Sequence, residues 1–256
     1  MKILATSDWH VDATTAGVER LPEIAAYVDS LADAVGELDV DLVLQLGDSW
    51  DPGSVNDPRW CRFVYESFIR LGSSYAHELN GVVGLIAIPG NHDVIDTSTP
   101  TSTLSGLRVA GSRFVAVLEE PTCYRVTRRD ESVAVLALPY VSRAYERTDA
   151  YRQALDGALE AALRAARDSP VVVMGHLSFD GMTPGSETTD MARGREVPFP
   201  VALIEQLAPT VVVNGHYHAR QTIRRGGLDI EIVGAPIRFT FGEAKDGPRG
   251  FLVLEV

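Results

Sequence analysis

The chain has 256 residues, 45% hydrophobic and 23% charged, and carries a formal net charge of −12. That balance supports a sizeable core in one large α/β domain and excludes a disordered or collagen-like chain. The acidic surplus argues against tight, non-specific nucleic-acid binding by the chain alone, and no apolar run is long enough to span a bilayer.

Residues 3–5 form a short apolar run that reads as a buried strand. It passes straight into Thr6-Ser7-Asp8-Trp9-His10 with no signal-peptide pattern. A cytoplasmic location follows as the expectation, with Cys61 and Cys123 as reduced, unpaired thiols. Apolar residues at helical spacing predict a helix over 21–38, and residues 40–46 read as a second strand ending at Gly47. A helix over 57–79 opens with Asp57 and Pro58. Residues 82–88 read as a third strand, stopped by Pro89-Gly90. Short strands follow over 114–118, 123–126 and 133–138, then an Ala-rich helix over 149–166 and a buried strand over 171–174. Residues 178–200 are polar and rich in Gly, Thr and Pro, and read as a long loop. A short helix over 201–207 precedes strands over 211–213, 221–224, 230–233, 239–241 and 251–256. The pattern predicts two packed sheets with helices outside.

Six histidines occur: His10, His77, His92, His176, His216 and His218. All but His77, which falls inside a predicted helix, lie just past predicted strand ends beside Gly, Asp or Asn. Asp8-x-His10 follows the first strand, and a carboxylate and an imidazole two residues apart make a metal bite. Gly47-Asp48 follows the second; the two oxygens of Asp48 suit a bridge between cations. Gly90-Asn91-His92-Asp93 follows the third. Asn91 offers an amide oxygen, and His92 can face substrate, with Asp93 expected to orient its ring and raise its basicity. Gly175-His176 and Gly215-His216-Tyr217-His218 follow two later strands. Alone, the earlier segments also read as turns or a structural histidine; the last pair is itself a metal signal that could also be half of a structural zinc site, but no cysteine partners accompany it. Together they predict one shared site, because ligands of open α/β sheets bind beyond the carboxyl ends of strands. Oxygen and imidazole donors without thiolate suit two divalent ions, with Mn²⁺ first and Fe²⁺ or Zn²⁺ as alternatives. Such a pair holds a phosphate for in-line attack.

In this order the motifs resemble the calcineurin-like metallophosphoesterase superfamily, and within it the SbcD-type DNA repair exonucleases. The opening Ile3-Leu4-Ala5-Thr6-Ser7-Asp8-Trp9-His10 carries the narrower resemblance. So do Gly47-Asp48-Ser49-Trp50-Asp51, Leu138-Pro139-Tyr140, and the tail from Gly234-Ala235-Pro236-Ile237 to Phe241-Gly242-Glu243. The resemblance implies a four-layer α/β/β/α sandwich with two mixed sheets. It places Asp8, His10 and His218 on one metal, Asn91, His176 and His216 on the other, Asp48 between them, and His92 on the substrate phosphate or leaving oxygen. It implies a DNA substrate, and the acidic balance together with the expected lack of a cap makes an SbcC-like ATPase that holds DNA the partner to expect. SbcD-type enzymes carry a further DNA-capping domain; residues 1–256 are read as the catalytic domain with no separate cap. Arg193, Arg195, Arg220, Arg224 and Arg225 are candidate phosphate contacts, or simply solvated charge. A small-substrate phosphodiesterase or phosphoprotein phosphatase on the same scaffold is the alternative, and a third reading is a non-catalytic scaffold protein. The apolar residues Trp60, Phe63, Val64, Phe68 and Leu71 mark either a homodimer face or a core-facing stripe.

Overall fold

Strands buried on both faces need apolar residues at every position, which is why they read as continuous runs. The computed structural model describes residues 1–51, 57–74, 83–184 and 198–256. Its first half runs β1 (Lys2–Thr6), a small hairpin of β2 (Thr14–Thr15) and β3 (Val18–Glu19), α1 (Leu21–Glu37), β4 (Leu42–Gln45), α2 (Pro58–Ser73), β5 (Leu85–Ala87), α3 (Ser105–Ala110) and β6 (Val115–Val117). The second half runs β7 (Thr122–Arg128), β8 (Glu131–Leu138), α4 (Arg143–Glu146), α5 (Asp149–Ala165), β9 (Val171–Gly175), α6 (Ala202–Glu205), β10 (Val211–Asn214), β11 (Gln221–Arg225), β12 (Leu228–Ile232), a 3₁₀ turn (Phe241–Lys245) and β13 (Leu252–Glu255).

Two large mixed sheets result. One has the order β13-β1-β4-β5-β6, parallel except where β13 meets β1. The other has the order β11-β12-β10-β9-β8-β7, parallel at its centre and antiparallel at both edges. Side chains alternate between two cores along each strand. Ile3, Ala5, Leu42, Leu44 and Ile86 point to the layer between the sheets, where they meet Val133, Val135, Val172, Met174 and Val213. Leu4, Val43 and Leu85 point the other way, against α1 and α2. Val171, Val173 and Val212 face α5 and α6. Three apolar layers between four layers of structure are the α/β/β/α sandwich expected.

Helix boundaries follow local chemistry. Asp57 caps α2 by accepting from the Arg59 N–H at 2.9 Å, and Thr148 caps α5 by accepting from the Tyr151 N–H at 3.1 Å. Of the predicted stripe, Trp60, Val64, Phe68 and Leu71 are buried in the core beneath α2 and Phe63 packs against that core half-buried, so the stripe faces the core. Residues 75–79 of the predicted helix, with His77, lie outside the described residues, as do Arg193 and Arg195 in the predicted loop. No helix among the described residues is long and apolar enough to cross a membrane. Cys61 and Cys123 are not joined in a disulfide.

One predicted strand is corrected. Residues 239–241 do not pair in a sheet, and a 3₁₀ turn begins at Phe241. The Glu243 side chain curls back to accept from the Phe239 N–H at 3.1 Å, and the Glu243 N–H donates to the Thr240 carbonyl at 3.2 Å. The aromatic-polar-aromatic alternation signals a strand, but Phe239 is buried while Phe241 is 85% exposed. The short helices α3 and α4 and the β2–β3 hairpin carry too few residues for periodicity to reveal them.

Candidate metal centre

The carboxyl ends of β1, β4 and β5 lie side by side in one sheet, and those of β9 and β10 are neighbours in the other. The loops that follow are stitched by backbone hydrogen bonds. Asp8 N–H donates to Gly47 O at 3.0 Å, His10 N–H to Asp48 O at 3.1 Å, and Gly215 N–H to Gly175 O at 2.9 Å. Two glycines permit the crowding. A Cβ on Gly90 would lie 2.1 Å from Asp48 Oδ1, and one on Gly47, at φ +100°, 2.4 Å from His176 Nδ1. Asp8, His10, Asp48 and His216 themselves hold positive φ, between 43° and 78°. Non-glycine residues in that region cost about 1–3 kcal/mol each and cluster at functional sites.

All seven predicted ligands and His92 meet at this crevice. Donor atoms of Asp8, His10 and His218 lie within 4.8 Å of one another, as do those of His10, Asp48 and His92, and those of Asp48, His176 and His216. Asp48 Oδ2 stands between the two histidine groups, 3.8 Å from His10 Nε2 and 3.3 Å from His176 Nε2. Asn91 Oδ1 is 3.1 Å from His176 Nε2. Asp8, Asp48 and His176 are almost wholly buried, whereas His92 is the most open of the histidines here, with its side chain 28% exposed.

The second-ring contacts fix which nitrogen faces inward. His10 Nδ1 lies 3.0 Å from Trp50 O and His176 Nδ1 2.6 Å from Leu46 O. A carbonyl only accepts, so each Nδ1 carries a proton and each Nε2 turns to the crevice. His218 Nδ1 lies 3.3 Å from the Glu243 carboxylate. The Nε2 atoms of His10 and His218 then face each other at 3.2 Å. Two nitrogen lone pairs at that distance repel unless a proton or a cation lies between them. Asp8 Oδ2 is buried with no hydrogen-bond partner among the described residues, although Oδ1 accepts from the His216 N–H at 3.1 Å. An orphaned carboxylate oxygen beside inward-facing imidazole nitrogens fits a divalent cation, and the oxygen–nitrogen donor set without sulfur fits Mn²⁺, Fe²⁺ or Zn²⁺.

The electrostatics of these side chains agree. Burial lowers His10 to about 3, keeping its ring neutral. Burial also opposes charge on His176, but the Asp48 carboxylate outweighs it and lifts His176 to about 9. Burial would raise Asp48, yet His176 and His92 hold it well below the usual carboxylate range. In the absence of a cation, a proton on His176 neutralises part of the acidic cluster.

Asp93 does not sit where its place in the sequence suggests. Its buried carboxylate accepts from the N–H groups of Ser49 at 3.0 Å, Trp50 at 3.3 Å and Gly90 at 2.8 Å. It thereby ties the loop after β4 to the loop after β5. Burial, then the Asp48 charge, raises it to about 7. The carboxylate beside His92 is that of Asp51, with Oδ1 3.2 Å from Nδ1. That contact is an ion pair without aligned hydrogen-bond geometry. Burial opposes charge on His92 as well; the Asp48 carboxylate and Asp51 overcome it and lift His92 to about 9. In the sequence Asp51 stands out only as the end of Gly47-Asp48-Ser49-Trp50-Asp51. Its place in the same post-strand loop as Asp48 is the one signal of its role there.

A sandwich whose strand ends bring histidines, aspartates and an asparagine into one crevice defines a metallophosphoesterase. Residues 1–220 match the profile of the calcineurin-like phosphoesterase family, and the chain belongs to that family. It is 29% identical over 264 aligned residues to the SbcD component of nuclease SbcCD from Bacillus subtilis, covering 95% of this chain and 63% of that protein. It is 26% identical to the Escherichia coli K12 counterpart, covering 95% and 62%. The chain thus spans less than two thirds of these relatives. The fold is shared with phosphopantetheinyl hydrolase of Mycobacterium tuberculosis (TM-score 0.53, 14% identity, 92% of this chain and 90% of that one). It is also shared with GAP50, the anchor in the inner membrane complex of Plasmodium (TM-score 0.55, 14% identity, 99% and 80%).

Proposed function

We propose that this chain is a two-metal phosphodiesterase acting on DNA, with Mn²⁺ as its working ion. The observation that carries the metal reading is the buried set of inward-facing Nε2 atoms around an orphaned Asp8 oxygen. Asp8, His10 and His218 would hold one ion, Asn91, His176 and His216 the other, and Asp48 would touch both. Bound ions of this kind polarise a phosphate and lower the pKa of a bound water. The chain's own residues supply the rest. His92, at the open edge of the cluster, meets the phosphate or the departing oxygen and delivers a proton to it. Asp51 keeps the His92 ring oriented and favours its charged form. Asp93 holds the two loops in register.

The DNA substrate rests on the nuclease names of the relatives. The same names make an SbcC-type protein the expected partner. A net charge of −12 gives the chain little affinity of its own for a polyanion, so a partner that grips DNA suits it. That acidity is also the specific observation behind the second reading, a small-substrate phosphodiesterase. Arg220, Arg224 and Arg225 are exposed, and Arg224 lies 3.8 Å from Asp229, which offsets part of its charge.

Incubation with Mn²⁺, labelled linear DNA and a chromogenic phosphodiester separates the readings. Cleavage of DNA with loss of activity in His92→Ala is the expected result. Turnover of the small ester with DNA left intact would replace the nuclease reading with the second. Failure to bind any divalent ion would remove both.

A further inference from the structure

The Gly234-to-Glu243 tail resembles that of SbcD-type enzymes, yet none of its residues is among the ligands. Glu243 is 0% exposed. A carboxylate so deeply buried has to be fully satisfied or it is strongly destabilising. Its Oε2 accepts from the Phe239 N–H at 3.1 Å and from Arg249 Nη2 at 2.9 Å. Its Oε1 faces His218 Nδ1 and the Thr240 hydroxyl, each at 3.3 Å. Arg249, with its side chain only 7% exposed, also donates to the His218 carbonyl and to Asp246 Oδ2 at 2.6 Å. One arginine therefore grips both the backbone of His218 and the carboxylate that faces its ring.

His10 and His176 have Nδ1 hydrogen-bonded to backbone carbonyls, with the Asp51 carboxylate standing off at 3.7 Å from His10 Nδ1, whereas His218 has a carboxylate as its Nδ1 partner. A carbonyl fixes a tautomer. A charged carboxylate does so and also makes the ring a stronger donor.

We propose that Glu243, locked by Arg249, is a positioning residue of the metal centre: it holds the proton of His218 on Nδ1 and presents Nε2 to the cation shared with Asp8 and His10. The proposal rests on the reading of His218 as a ligand. It makes the turn over 240–249 part of the site rather than a surface appendage.

A glutamine at 243 discriminates well. With its oxygen toward the Arg249 and Phe239 donors, its NH₂ group faces His218 Nδ1, which must then accept. The proton moves to Nε2, and the lone pair no longer faces the crevice. Arg238 supplies the control for mere turn stability. It donates to the carbonyls of Glu243, Asp246 and Gly247 without touching the Glu243 carboxylate.

The experiment titrates wild type, Glu243→Gln, Arg238→Ala and His218→Ala with Mn²⁺, followed by electron paramagnetic resonance. Long-range ¹H–¹⁵N spectra of the zinc-loaded wild type then locate the His218 proton. Glu243→Gln is expected to weaken one of two ions by about 10–100-fold and leave the other near its wild-type affinity. Arg238→Ala is expected to lower the melting temperature with both affinities kept, and the spectra to place the proton on Nδ1. Wild-type affinities in Glu243→Gln, an equal loss in Arg238→Ala, or a proton on Nε2 would each overturn the proposal. Should Glu243→Gln fail to fold, the Nδ1 proton of the zinc-loaded wild type decides: a downfield, exchange-protected resonance, as a carboxylate acceptor gives, supports the proposal, and a proton in free exchange with water overturns it. Unchanged binding of both ions in His218→Ala would instead defeat the ligand reading itself, a separate outcome.

Discussion

At His92 the sequence offers two carboxylates, Asp93 next door and Asp51 some forty residues earlier. Chain proximity favours Asp93, but consecutive side chains after a strand end diverge, and Asp93 turns inward to three backbone N–H groups. Asp51 reaches the ring because the loops after β4 and β5 run together. Asp51→Asn is therefore expected to lower kcat roughly tenfold to a hundredfold, part of the ~10²–10⁴ that proton transfer contributes. In a His92→Ala background it should add little; full additivity in that double-mutant cycle would show that the two act separately. His176 gives a pH dependence. Lifted to about 9 without a cation, it holds a proton at neutral pH that an incoming ion must displace. Metal affinity should accordingly rise with pH from about 6 to 8, with close to one proton released per ion at that subsite. Calorimetry in two buffers of different ionisation enthalpy measures this, and a pH-independent affinity would contradict it. The sign for stability is opposite. In the cation-free protein the raised His176 contributes stability that is full below about 6.5 and lost as pH rises through about 9.

Elements were legible where apolar content was dense. The strands β1, β4, β9 and β10 have both faces covered, so nearly every residue is apolar, and their ends fall where Gly and Asp or His begin. The helices α1 and α5 show their buried stripes in the sequence. Phe239 to Phe241 misled because its conformation is set by a carboxylate two residues further on, outside any window of alternation. The loops are held by glycines whose need is visible only once neighbours are placed. Gly90→Ala should drive Cβ into Asp48 Oδ1, displace that carboxylate, and reduce metal binding at least about tenfold. Equilibrium dialysis checks this, and normal binding would mean the loop relaxes freely. In the outer core, Phe68 packs edge-on to Trp9 at 5.3 Å and is fully buried. Phe68→Ala should cost about 3–5 kcal/mol in denaturant unfolding; a loss below about 1 kcal/mol would place the ring outside the core.

Across the whole molecule, the site is a seam. Asp8, His10, Asp48 and Asn91 follow strands of one sheet, and His176, His216 and His218 follow strands of the other. Bound ions would therefore join the sheets, and a chelator should loosen loops on both. Stabilisation by ligand at a hundredfold excess over Kd is about 2.7 kcal/mol. Chelation is expected to lower the melting temperature and to speed amide exchange after β1, β4, β9 and β10 together. Faster exchange confined to one sheet would argue that the ions bind on that side alone.

The sequence by itself determined the fold class, the family and which eight residues meet at the crevice. Buried strands and ligand-bearing turns are written in residue type and spacing, which survive in one dimension. The pairing of Asp51 with His92, the inward turn of Asp93 and the Glu243–His218–Arg249 chain were decided only by the tertiary structure. Each joins residues from separate loops, and its existence depends on where side chains point after the two sheets have packed.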